Sequence, residues 1–574
     1  MILAQPTLPL TILRLHGEEQ EMGRQHGDFQ RQLGGHLPVL SYYASMPVCL
    51  LKGSQPAGPL RVVPDWAAPA VDALMRRLHR DRPGLLRRRS EAYMRALGLP
   101  PAQARHMMTM DVFQNLVGLA GRARVVPAAR GWASGAIAAC SSLAVWGAAV
   151  EGAALLHARN FDFPGIGLWD AAPTVVLCSP DKGLRYGYAS SRGVDAPVVS
   201  LWNEAGLCVT THTHLHREVR FGGAAVMDLC HEIIRRARTL DEAAAIARER
   251  PVASTWGLLV SAVNEASAVL IETTARRMAV TRPEPGDPYL ACTNHYLSHE
   301  LQDGELAPNS GYAADSHGRL ERMVRAVRES LPRGGLSALN LQALLGDHED
   351  CEVEGLERGA GGVLAQPMGV HSIVMDPGGQ RCFVSTDLAP TGRGAYAEVP
   401  WNWSDKPGFE LVAADRSQQP PRQPSRFDTP QGTAGYAHFL RAVQLENLGA
   451  EPAATAVHIA RAAAADPDEA TWQLLHAGFA MRSGDLDEAA AALHHGLSLP
   501  QAEFYTGRMH LWASRVASVQ GDQVNAIRHR EALLALDHPL CQPLQDEARV
   551  EAKQGVAPAK LRHVTLQCFM GAVG

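Results

Sequence analysis

The sequence predicts an α+β chain, with largely antiparallel sheets interleaved with helices, followed by an all-α region. Three observations predict it. Between about residues 136 and 400, short apolar or alternating runs punctuated by Gly, Asn and Pro read as strands. Before and between them, apolar residues recur at three- and four-residue spacing, as on helices. After a stretch rich in Pro, Gln and Ser, the chain becomes alanine-rich and helix-periodic to about residue 556.

Up to about residue 135 the reading is mostly helical. The segments are GEEQEMGRQHGDFQRQLGGHL, WAAPAVDALMRRLHR, RRRSEAYMRALG and PAQARHMMTMDVFQNLVGLA. The strand runs are CSSLAVWG, AALLHARNFDF, TVVLCS, APVVSLWNEAGLCVTTHTH, GLLVSAVNEASAVLIETT, RRMAVTR, HSIVMDP and RCFVST. Hairpin turns are expected near Asn264 and at Gly378–Gly379. AVMDLCHEIIRRARTLDEAAAIARER and SHGRLERMVRAVRESL supply helices between strands. Asp415 to Gly435 reads as a linker. Beyond it, Gly484-Asp485 and Gly521-Asp522 punctuate helix–turn–helix units similar to tetratricopeptide repeats. The pattern thus divides the chain near residue 135 and at a linker over 411–435, with 436–574 helical, consistent with 574 residues being too many for one core.

Composition narrows the function. Net charge is −5, with 20% charged and 46% hydrophobic residues, which argues against nucleic acid or an anionic membrane as the main partner. The first twenty residues lack a basic region before a long apolar stretch, so a cytoplasmic protein is expected. Gly135–Leu156 is apolar but broken at its middle, which suits a buried hairpin better than a bilayer span. Ten cysteines without a CxxC pair make neither a disulfide framework nor a zinc module.

The informative segment is GAIAACSSLAVWGAAVEGAALLHARNFDFPG. Two strand-like runs flank a short connection. A turn centred near residue 150 sets Cys140 opposite residues 159–161, with Arg159, Asn160 and Asp162 beside the thiol. A cysteine at a strand start, with an arginine, an amide and a carboxylate brought across to it, is a candidate nucleophile.

The stretch from Cys140 to Phe163 resembles the nucleophile hairpin of the isopenicillin-N acyltransferase-like family, relatives of choloylglycine hydrolase among the N-terminal nucleophile (Ntn) hydrolases. Glu21-Met22-Gly23-Arg24 within Gly17–Gly27, Asn203-Glu204-Ala205-Gly206-Leu207, Thr293-Asn294-His295, and Asp347-His348 with Cys351 extend the resemblance over about residues 10–400. Ala139, and Phe161 and Phe163 flanking Asp162, depart mildly from the family pattern and bear on substrate shape.

The resemblance implies a four-layer αββα fold and self-cleavage between Ala139 and Cys140, with 1–139 becoming the small chain. It places the first boundary at 139/140, making the domains 1–139, 140–410, a linker at 411–435, and 436–574. The freed α-amine, with a pKa of about 7.7–8.0, would act as general base for the Cys140 thiol. Arg159 would lower the thiol pKa or orient substrate, Asp162 would hold the α-amine, and Asn294 would donate to the oxyanion. Asn160, Asn203 and His295 would give supporting hydrogen bonds. The substrate would be an amide or thioester of a small acyl group, with no metal or organic cofactor. If the acyl group passes to an amine, a coenzyme A thioester or an acyl-carrier protein is the candidate donor.

Two rivals stand beside this reading. One is a non-catalytic scaffold whose tetratricopeptide-like region binds a protein partner. The other is a metal-dependent hydrolase on His212, His214 and His216, whose alternation places them on one face of a strand. His231-Glu232 lacks the second histidine of a metalloprotease motif.

Overall fold

The computed structural model describes residues 8–34, 38–40, 84–99, 110–122, 138–415, 424–448 and 450–564, with scattered positions elsewhere. The helix expected over 66–80 lies almost entirely outside the described residues.

The described chain opens on a strand, β1 (Leu10–Gly17), within a region expected to be mostly helical. Its alternation explains the difference: Leu10 and Ile12 join one core cluster while Leu13 and Leu15 join another, so both faces are covered. Helix α1 (Glu19–Gln32) follows and lies on α2 (Gly84–Ala96). Gly23 and Gly27 make that approach close, because a Cβ at Gly23 would overlap the Arg89 carbonyl oxygen. Gly23→Ala is therefore expected to destabilise the fold by about 1–3 kcal/mol despite alanine's better helix propensity. A lowered thermal midpoint would show it, and an unchanged one would mean that the two helices can separate without cost.

After α3 (Met110–Arg122) come β2 (Ala139–Trp146), β3 (Leu155–Asp162), β4 (Pro173–Pro180), β5 (Tyr186–Ser191), β6 (Ser200–Asn203) and β7 (Leu207–Thr213). Helices α4 (Val226–Arg236) and α5 (Leu240–Glu249) precede β8 (Trp256–Ala262), β9 (Ser267–Thr273), β10 (Met278–Thr281) and β11 (Tyr289–Cys292). Then follow α6 (Ser310–Ser330), α7 (Ala338–Leu345), β12 (Gly369–Asp376), β13 (Arg381–Ser385), β14 (Tyr396–Pro400) and β15 (Gly408–Val412). The turns expected near Asn264 and Gly378–Gly379 join β8 to β9 and β12 to β13.

Two large sheets result among the described residues, besides a two-stranded ladder in which Leu566 and Gln567 pair with Val573 and Ala572. The larger has the order β10-β9-β8-β7-β6-β5-β4-β1-β15, parallel only between β1 and β4. The smaller, β11-β2-β3-β12-β13-β14, is antiparallel throughout. β2 and β11 lie against β7, β8 and β9 of the larger sheet. Ala144, Trp146, Leu155, Leu259 and Leu270 fill part of the space between. On the other side of the smaller sheet, Leu143, Val145, Leu156 and Ala158 pack with Met323 and Val327 of α6 and Leu341 of α7. Because both faces are buried, these strands read as near-continuous apolar runs.

The remainder is helical: α8 (Pro430–Asn447), α9 (Pro452–Ala465), α10 (Ala470–Ser483), α11 (Leu486–Leu497), α12 (Glu503–Gln520), α13 (Gln523–Leu534) and α14 (Gln542–Gln554). α8 begins within the stretch read as a linker. Gly484 and Gly521 are left-handed, at φ +86° and +85°. Asp485 and Asp522 then cap the next helix by accepting from the backbone N–H groups of Glu488 and Asn525. Phe439 of α8 and Trp472 of α10 belong to the same core cluster as Val176, Tyr188 and Leu201 of the larger sheet. No helix among the described residues is long and apolar enough to cross a membrane.

Candidate active site

β2 and β3 pair in the register Ala139↔Asp162, Cys140↔Phe161, Ser141↔Asn160 and Ser142↔Arg159. Phe161, opposite Cys140, thus falls within the expected window of 159–161. Side chains alternate across the pleat, so Cys140, Ser142, Arg159 and Phe161 face the larger sheet, while Ser141, Asn160 and Asp162 face the helices.

On the inter-sheet face, Arg159 Nη2 lies 3.1 Å from Cys140 Sγ. The guanidinium is held by the Val199 carbonyl and stands 5.2 Å from the Phe161 ring centroid. Sequence reasoning expected Arg159 to lower the thiol's pKa. In the closed site burial dominates and raises it, with Arg159 and Arg319 opposing and Asp162 adding to the rise. The correction is one of magnitude, since the cation is adjacent but the sulfur is cut off from water.

The backbone of Cys140 is clamped from the helix side. Its N–H donates to Asn294 Oδ1 at 2.8 Å. Its carbonyl accepts from Arg319 Nη1 at 2.7 Å, and the same nitrogen reaches Ser141 Oγ at 2.9 Å. Arg319 Nη2 donates to Asn294 Oδ1 at 2.8 Å, and Nε pairs with Asp315 Oδ2 at 2.9 Å, one turn back on α6. Arg319 and Asp315 were missed from the sequence. A buried i,i+4 Asp–Arg pair in the otherwise amphipathic ADSHGRLERM stretch was the available signal.

Asp162 is fully buried, and neither carboxylate oxygen has a hydrogen-bond partner among the described residues. Burial raises its pKa to about 8; Arg319 and Arg159 lower it and Asp315 raises it further. It is an acid held protonated near neutral pH, next to the Ala139–Cys140 peptide.

The other expected site residues divide. The Asn294 side chain touches the Cys140 backbone as described, while its Nδ2 donates to the Thr213 carbonyl at 3.1 Å. Asn160 donates to the Leu345 and Leu364 carbonyls and accepts from Ser372, tying β3 to the loop after α7. Asn203 closes the β6–β7 turn and ties it to α4, away from the thiol. His295 bonds Ser316 at 2.8 Å and stacks on His317. His348 packs against Phe427 and Tyr436 of the helical region.

The three alternating histidines have separate partners. His212 Nε2 is 2.9 Å from Ser142 Oγ, His214 lies 3.7 Å from Glu272, and His216 accepts from the Glu218 N–H. Among the described residues, no group of three or more His, Cys, Asp and Glu side chains is placed to hold a metal ion.

A second buried polar cluster ties the first hundred residues to the rest. Arg89 donates to Asp195, Glu19, Tyr186 and Tyr188, and His231 meets Glu19 at 3.1 Å. Although burial raises the Glu19 pKa, His231, Arg89 and Arg235 bring it down to about 2.

Residues 174–353 match the family model described as acyl-coenzyme A:6-aminopenicillanic acid acyl-transferase. That stretch contains Asn203, Asn294, Asp315 and Arg319; Cys140, Arg159 and Asp162 precede it. No curated protein matches the chain. Among solved structures, the Caenorhabditis elegans ortholog of N-acylethanolamine-hydrolyzing acid amidase is similar at 16% identity. It covers 42% of this chain and 93% of its own, with a TM-score of 0.28, too loose a superposition to bear on the chemistry.

Proposed function

We propose that this chain is a cysteine Ntn hydrolase or acyltransferase, which cleaves itself before Cys140 and then forms an acyl thioester on that cysteine. The helix–sheet–sheet–helix order around β2 suits the four-layer arrangement of such enzymes, and the family match over 174–353 supports the class. The observation that carries the reading is the clamped Cys140. Its sulfur is beside a guanidinium, its N–H and carbonyl are held by Asn294 and Arg319, and a protonated carboxyl stands next to the scissile peptide.

The steps balance on these groups. Cys140 Sγ attacks the Ala139 carbonyl carbon and its proton passes to solvent, while the proton of Asp162 goes to the departing nitrogen. The Ala139–Cys140 C–N bond breaks and the nitrogen leaves as an amine. Water then hydrolyses the thioester, leaving an Ala139 carboxylate, a free thiol and an α-amine. In turnover that amine takes the thiol proton, and Asp162, now a carboxylate, holds the ammonium. Arg159 stabilises the thiolate, and Asn294 serves the oxyanion once its Nδ2 turns from Thr213. The substrate is an amide or thioester of a small acyl group, and an acyl-coenzyme A donor fits the transferase alternative.

Intact mass tests this directly. Wild type should resolve into 1–139 and 140–574 and gain one acyl mass on the larger fragment when offered short acyl-coenzyme A thioesters. An uncleaved and unlabelled chain in reductant at neutral pH would sink the proposal. The fragments should co-elute on gel filtration, because β1 sits between β4 and β15 and the Arg89 cluster spans the cut.

The uncleaved chain carries a pH signature. Asp162 has a folded pKa of about 8 against an ordinary 3.8, so the folded state holds a proton that the unfolded state releases. That stability is full below about pH 4 and is lost as pH rises to about 8, at about 1.4 kcal/mol per unit. Buried His157 and His371, each lowered to about 3 by burial, act in the opposite sense up to about pH 6.5. Between pH 6.5 and 8 the uncleaved chain should therefore lose stability, and Asp162→Asn should flatten the slope. A slope that survives Asp162→Asn assigns it to another group, such as Glu305, raised by burial to about 7.

A further inference from the structure

From two buried routes into the site, we infer that the C-terminal helical region is a positioning part of the catalytic centre, with Arg358 and Asn447 as its positioning residues. The inference rests on the reading of Cys140 given above.

The first route starts at α10 and α12. Arg358 is buried, donates from Nη2 to Thr471 Oγ1 of α10 at 3.2 Å, and lies 3.7 Å from the ring centroid of Tyr505 on α12. Asp350 balances its charge at 3.5 Å. The next residue, Gly359, is seated on Trp472 of α10 so closely that a Cβ there would overlap the indole. A few residues on, the Gly362 N–H and Gln366 Nε2 both donate to Asp315 Oδ1, at 3.0 and 2.6 Å. The other oxygen of Asp315 holds Arg319 Nε, and Arg319 holds the Cys140 carbonyl. From Thr471 and Tyr505 to the reacting peptide, the connection is one short segment and one ion pair.

The second route ends at Asp162. Asn447, the last residue of α8, is fully buried. Its Oδ1 accepts from the Gly165 N–H at 2.9 Å, and its Nδ2 contacts Met368 Sδ at 3.4 Å. Phe163 N–H donates to the Met368 carbonyl at 3.0 Å, and Gly369 pairs with Asp162 in the β3–β12 ladder. Asn447 thus pins both chain segments that flank the Asp162 carboxyl.

Both routes are buried and hydrogen-bonded, so displacing a helix by a fraction of an ångström moves Arg319 or Asp162 against Cys140. A module that merely recruited partners would need neither. Arg358→Met removes the cation from Tyr505 and Thr471 at similar volume, and Arg358→Lys retains the charge. Asn447→Ala cuts the second route, and the exposed Val524→Ala serves as control.

The experiment follows self-cleavage by intact mass after cell-free synthesis. It also follows the pH midpoint of Cys140 alkylation by iodoacetamide, with thermal melting to report the fold. Expected are at least a tenfold slowing of cleavage and a shifted alkylation midpoint in folded Arg358→Met and Asn447→Ala, with partial recovery in Arg358→Lys and no change in Val524→Ala. If Arg358→Met does not fold, Asn447→Ala decides by the same readouts. Folded variants with cleavage rates and midpoints within twofold of wild type overturn the inference alone. A wild type that neither cleaves nor alkylates at Cys140 overturns the reading of the site, and this inference with it.

Discussion

Cys140→Ala is expected to leave one 574-residue polypeptide that neither splits nor takes an acyl label, the largest effect any single substitution should have here. The sulfur is the only atom of Cys140 that the change removes. The Asn294 and Arg319 contacts go to its N–H and carbonyl and survive. Loss of both reactions with little change in melting would thus place the chemistry on Sγ. Cys140→Ser separates two ideas further. A hydroxyl has no appreciable ionised fraction near neutral pH, so cleavage should slow by orders of magnitude while the clamp stays whole. If Cys140→Ala still yields 1–139 and 140–574, another group cuts the chain and the proposed mechanism is wrong.

Arg319→Met should be nearly as severe, for a different reason. Arg319 and Asp315 are both fully buried and pair at 2.9 Å on successive turns of α6. Removing the cation leaves Asp315 with only the Gly362 and Gln366 donors, and deprives the Cys140 carbonyl, Ser141 and Asn294 of theirs. Breaking one side of a buried pair typically costs about 3–5 kcal/mol. Asp315→Asn in the same chain should restore much of the stability, because the uncompensated charge is gone. It should not restore cleavage, because nothing then holds the Cys140 carbonyl. Melting and intact mass on the two single variants and the double variant check both halves. A double variant that cleaves normally would reduce Arg319 to a structural role. Arg319→Lys should also fail to cleave, since one ammonium cannot reproduce donors aimed at Cys140, Ser141, Asn294 and Asp315 together.

The nucleophile hairpin was legible because it is local. A two-residue period and a turn near residue 150 place Cys140 opposite residues 159–161 from spacing alone, and the pairing with Phe161 lies in that window. The same period implies that Arg159 and Asp162 face opposite sides of the sheet, a consequence not drawn from sequence. Strand β1 is not among the strands expected from sequence because LTILRLHG is short and sits against the strong helix signal of α1; its partners β4 and β15 lie far along the chain. Asn160 and Asn203 stood out as asparagines in motif-like surroundings, yet they hold loops and turns, as buried amides commonly do.

The sequence by itself determined the alternation of a strand-rich middle with helical flanks, the pairing of β2 with β3, and the short stretch of β3 that faces Cys140. Those features rest on repeats of 2.0 and 3.6 residues and on turn chemistry, all expressed within a few tens of residues. Only the tertiary structure decided that Arg319, 179 positions from Cys140, would hold its carbonyl. It alone decided that burial would outweigh Arg159 in setting the thiol's pKa, and that Asp162 would keep its proton near neutral pH. Desolvation and ion pairing depend on which distant segments close over a group, and periodicity along the chain does not encode that distance.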